Sequence, residues 1–82
     1  MQWDLLDIIQ DEKGRARVLI RIEGKIETTA RLTPQALEKI DREGPEVGGF
    51  ALWKISKRGD DPTDRFWVVG VLGEGEPLEV EP

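Results

Sequence analysis

Small or apolar residues occupy alternate positions at Ala16, Val18, Ile20 and Ile22, and again at Ile26, Thr28, Ala30 and Leu32. Period-two alternation of this kind predicts half-buried strands, and the polar trio Glu23-Gly24-Lys25 between the two runs predicts a hairpin turn. The register follows from the faces. A two-residue loop would turn Ile26 away from Ile22, whereas pairing Ile22 with Ile26 aligns Ile20 with Thr28, Val18 with Ala30 and Ala16 with Leu32. One face is then continuously apolar, which is what specifies a register. The other face carries Arg17, Arg21, Glu27 and Arg31, with Arg21 directly opposite Glu27 as an attractive cross-strand pair.

Spacing changes to that of a helix after Leu32. Thr33 is a predicted N-cap, Pro34 takes the first helical position, and Gly44-Pro45 stops the helix. Leu32 and Leu37 are placed for a hydrophobic staple, and Ala36, Leu37 and Ile40 form a narrow docking stripe. Two further strands are expected at Phe50–Ser56 and Phe66–Leu72, joined by a charged loop. The last of these is apolar on both faces: Phe66, Val68 and Leu72 point one way, Trp67, Val69 and Val71 the other. Such a strand must be covered twice, either by barrel closure or by a second chain. Trp67, Val69 and Val71 are therefore candidate self-association residues, and Trp67 is expected to be mostly buried.

The segment Trp3–Gln10 supports two readings. Its apolar residues Trp3, Leu5, Leu6, Ile8 and Ile9 fit helical spacing, which would give an αββαββ chain. The β-branched Ile8-Ile9 and the turn-forming Asp11–Gly14 favour a strand. With the strand reading preferred, the expected fold is α+β: an antiparallel sheet of about five strands, in the order β-β-β-α-β-β. That order resembles an OB-fold, in which a helix between the third and fourth strands plugs a five-stranded barrel. The resemblance lies in element order alone, and no residue motif assigns the chain to a family.

Composition narrows the chemistry. The chain of 82 residues contains no histidine, cysteine, tyrosine or asparagine, and one methionine. Those absences remove most nucleophiles, near-neutral acid–base groups and transition-metal ligands. An enzyme would have to work with carboxylates and lysines in a domain too small for a deep cleft, so a non-enzymatic protein is expected. A single domain spanning 1–82 is implied by the length. A 35% charged composition without Asn or Cys suggests a thermophile's protein. No apolar run approaches the ~20 residues of a membrane span, so a soluble cytoplasmic protein is expected.

Charge is unevenly distributed. Of the net −5, the whole excess falls between Arg58 and Pro82, with seven acids against two bases, and an acidic tail begins at about residue 73. Leu78 and Val80 alternate with Glu79 and Glu81 as a short edge strand would. The cluster Asp60-Asp61-Pro62-Thr63-Asp64 lacks the ligand spacing of a calcium loop, and the Gly48-Gly49 and Gly73-Glu74-Gly75 segments do not open helices as phosphate loops do. No metal or cofactor is implied. Two functions stay open. The preferred one is a self-associating protein-interaction module, a homodimer with an unidentified protein partner. The alternative is an OB-like nucleic-acid binder whose contacts are Arg15, Arg17, Arg21 and Arg31. The alternative is disfavoured because those two strands carry no aromatic residues on which bases could stack.

Overall fold

A computed structural model describes residues 1–10, 15–56, 63–75 and 77. Five strands and one helix follow each other as β1 (Trp3–Gln10), β2 (Ala16–Ile22), β3 (Ile26–Leu32), α1 (Pro34–Glu43), β4 (Phe50–Ser56) and β5 (Arg65–Val71). A short 3₁₀ turn, Pro45–Val47, links α1 to β4. The chain is therefore α+β in the element order that the strand reading predicts, and the αββαββ alternative is excluded.

A β-bulge accounts for the ambiguity of the first segment. Leu5 pairs with Ile20 and Asp7 with Leu19, so Leu6 is an extra residue in β1. The bulge shifts the alternation by one. Trp3 and Leu5 before it, and Ile8 after it, all pack on the same core, while Leu6 and Ile9 stay exposed. A strand interrupted in this way places apolar residues at the same spacing as a helix.

The β2–β3 hairpin has the register set by its faces: Ile22 opposite Ile26, Ile20 opposite Thr28, Val18 opposite Ala30. Its turn is closed by Lys25 N–H donating to the Ile22 carbonyl at 3.0 Å, with Gly24 in the left-handed region at φ 68°. The helix begins as its sequence dictates. Thr33 Oγ1 accepts from Ala36 N–H at 3.1 Å, and Gly44 N–H closes the last turn on the Ile40 carbonyl at 2.8 Å. Thr33 N–H also donates to the Val69 carbonyl at 3.0 Å, which ties the start of α1 to β5.

The sheet corrects the expected topology. It is mixed, not purely antiparallel, with order β1-β2-β3-β5-β4 and β5 running parallel to β3. The physical reason lies in the strands themselves. Apolar on both faces, β5 belongs in the sheet's interior, whereas β4 carries the exposed Lys54 and takes the edge. Inserting β5 between β3 and β4 makes it parallel to the first and antiparallel to the second. The two edges, β1 and β4, do not pair with each other, so the barrel is not closed.

The inner face holds the core. Val18, Ile20, Ile22, Ala30 and Val69 form one buried cluster, against which Trp3, Leu5, Ile8, Leu32, Phe50, Leu52 and Trp67 pack. On the opposite face Val68 is also fully buried, so β5 is covered on both sides within a single chain.

Candidate nucleic-acid interface

The outer face of the sheet contains one in-register row that crosses all five strands. Ile9 lies opposite Arg17, Arg17 opposite Arg31, Arg31 beside Val68, and Val68 opposite Trp53. At about 4.8 Å per strand, Arg17 and Trp53 are separated by ~14 Å. Phe66 stands on the same face one alternation step from Val68, and its ring carries the Arg31 guanidinium at 4.1 Å from the centroid. Trp53 lies over Gly70, where an added Cβ would run into the indole ring and would also come within 3.4 Å of Thr33 Cγ2.

Electrostatics in this row are unusual. Two like charges directly opposite across a strand pair repel, and Arg17 and Arg31 are so placed. Arg31 Nε and Nη1 are buried and have no hydrogen-bond partner, an arrangement that costs stability for a charged donor. Burial pulls the Arg31 pKa below its ordinary value, and the nearby charges of Arg17 and Arg15 pull it further, with Asp64 opposing. Two of the other candidate arginines, Arg15 and Arg17, are therefore close enough to act on Arg31. The fourth is separated by charge pairing: Arg21 Nη2 makes an ion pair with Glu27 Oε2 at 3.2 Å.

The candidate self-association residues Trp67, Val69 and Val71 all occupy the inner face. Val69 is fully buried in the core, Trp67 is half-buried against it, and Lys54 sits over the Trp67 ring at 5.1 Å from the centroid. The predicted turn at Asp11–Gly14, most of the charged loop (57–62) and the tail positions Leu78 and Val80 fall outside the described residues. Among the described residues, no three carboxylates converge as a metal site and no helix is long and apolar enough to cross a membrane.

Phe66 and Trp53 are the site residues that the sequence did not associate with the arginines. Both were visible as bulky strand residues, but only the parallel β3–β5 pairing places Phe66 beside Arg31 and Trp53 one strand further along the same row. Comparison with protein-family models, with curated proteins and with solved structures finds no match to this chain.

Proposed function

We propose that this protein binds single-stranded nucleic acid on the outer face of its sheet, through Arg17 and Arg31 with Phe66 and Trp53 beside them. One observation carries the reading: the cross-sheet row that sets two arginines and a tryptophan in register, with a phenylalanine adjoining. Positive side chains track a phosphate backbone, and aromatic rings can stack on unpaired bases of any identity. The aromatic surface missing from β2 and β3 alone is supplied by β4 and β5. The helix between the third and fourth strands also matches the element order of an OB-fold, whose β2–β3 face binds oligonucleotides.

Net charge does not oppose this. The surplus of acids lies between Arg58 and Pro82, whereas the arginine row belongs to a stretch, Met1–Leu32, with six acids and six bases. Self-association through Trp67, Val69 and Val71 drew its support from the two apolar faces of β5. Val68 and Val69, one on each face, are fully buried within one chain, whereas Leu72 beyond the end of β5 stays exposed.

The test is a titration of a short labelled oligonucleotide at low and at physiological salt, followed by fluorescence anisotropy. Affinity should fall as salt rises, and Arg17→Gln and Arg31→Gln should each reduce the logarithmic salt slope by about 1. No binding at low salt, or binding indifferent to salt, would overturn the proposal.

A further inference from the structure

The Arg31–Phe66 stack raises the question of what occupies the ring when a strand is bound. In the free protein the guanidinium covers one face of Phe66, 4.1 Å from its centroid. The ring attracts the charge, but the rest of the position serves it poorly. Nε and Nη1 lack acceptors, Arg17 stands directly opposite, and the half-buried setting removes part of the hydration. A guanidinium makes its strongest contacts as a bidentate donor to a phosphate. A phenyl ring, having no polar group, can stack equally on any planar partner, whether guanidinium or base.

Resting on the nucleic-acid reading, we infer that Arg31 holds the place of a nucleobase. When a single strand binds, a base takes the Phe66 ring face, and Arg31 swings outward to the adjoining phosphate. The ligand class follows from the exchange. Bases in a duplex already stack on their neighbours and cannot reach the ring, so the site selects single strands. Recognition does not depend on base identity, because Phe66 offers no hydrogen bond. The exchange gives up the cation–π contact of the free protein and replaces it with a base on the ring and a phosphate at the guanidinium. Arg31 and Phe66 therefore act as one device: the charge supplies affinity for the backbone, and the ring makes that affinity conditional on an accessible base.

The experiment compares oligodeoxythymidylate with a tetrahydrofuran abasic oligomer of the same length, using the intact chain at low salt. Arg31 Nε–H is followed by NMR, where the Phe66 ring current shifts it upfield in the free protein. Oligodeoxythymidylate should move this signal downfield, and the abasic oligomer should leave it in place. Oligodeoxythymidylate should also bind about tenfold more tightly than the abasic oligomer, the scale of one base stacked on an aromatic ring. Phe66→Leu should erase that gap, and Phe66→Trp should retain it. An Arg31 signal still upfield at saturating oligodeoxythymidylate would overturn the exchange, as would a gap that survives in Phe66→Leu. Salt-dependent binding with an unmoved Arg31 signal defeats the exchange alone, whereas absence of binding to either oligomer at low salt defeats the nucleic-acid reading with it.

Discussion

The third strand makes two junctions of different character. Toward β2 it forms an antiparallel hairpin in continuous register from Arg17–Arg31 to Ile22–Ile26, closed by a turn between neighbouring residues. Toward β5 it forms a shorter parallel pairing, from Ala30–Trp67 to Leu32–Val69, between segments that α1 and β4 separate in the chain. The hairpin supplies most of the buried cluster and neutralises Arg21 with Glu27. The parallel junction supplies the features that a self-contained structural sheet has little use for: an arginine stacked on a phenylalanine, with two nitrogens lacking acceptors. Local pairing satisfies its own side chains, and the long-range pairing leaves a site.

The largest effect should come from the hairpin. Ile20 is fully buried at the centre of the cluster, so Ile20→Ala should cost about 2–5 kcal/mol in urea unfolding. Against a typical domain stability of about 5–15 kcal/mol, that loss is severe. A cost under about 1 kcal/mol would show that the hairpin core is not the base of the fold.

Gly70→Ala probes the other junction. The added methyl group meets the Trp53 ring and approaches Thr33 Cγ2, so overpacking should cost about 1–3 kcal/mol. Tryptophan fluorescence should shift as the indole is displaced, and oligonucleotide affinity should fall in the same variant. Unchanged fluorescence and stability would mean that Trp53 does not lie against Gly70.

These two substitutions also divide what the sequence disclosed from what it hid. The β2–β3 register was legible because shifting it by one residue would expose Val18, Ile20 and Ile22 together. The Arg21–Glu27 pair followed from that register, and the helix was legible from Thr33, Pro34 and Gly44, whose roles are local. The bulge at Leu6 was hidden because a shifted strand and a helix share an apolar spacing. The parallel junction was hidden for a different reason. The two apolar faces of Phe66–Leu72 announced a strand that needed covering twice, but the same pattern fits an interior strand, a closed barrel or a dimer interface. Long-range pairing made it an interior strand, and only that pairing put Phe66 beside Arg31 and Trp53 in the same cross-sheet row. Half of the candidate site was therefore readable as four arginines, and the aromatic half was not.

A smaller effect tests the link between the helix and the parallel junction. Thr33→Ala removes the buried Oγ1 acceptor of Ala36 N–H and should cost about 1 kcal/mol, whereas Thr33→Ser should restore most of it. The backbone bond from Thr33 to Val69 survives both changes, so oligonucleotide affinity should be unaltered. A loss of binding in Thr33→Ala, with the fold intact, would show that the cap positions the site and does more than start the helix.

The smallest effect is the sharpest, because one substitution should have opposite signs at two positions on the same sheet face. Arg21→Met breaks an exposed cross-strand ion pair and should destabilise by roughly 0.2–1 kcal/mol, less at high salt. Arg31→Met takes away a half-buried charge that faces Arg17 and lacks acceptors at two nitrogens. Methionine keeps a long flexible chain and sets a sulfur against the Phe66 ring, a contact worth about 0.3–1.5 kcal/mol. Arg31→Met should therefore be neutral or stabilising by up to about 1 kcal/mol. Binding should respond in the reverse order: Arg31→Met weakens oligonucleotide affinity and lowers its salt slope, and Arg21→Met changes either one little. If Arg31→Met instead destabilises as much as Arg21→Met, the Arg31 charge is served by the fold, and the contrast between the two junctions of β3 disappears.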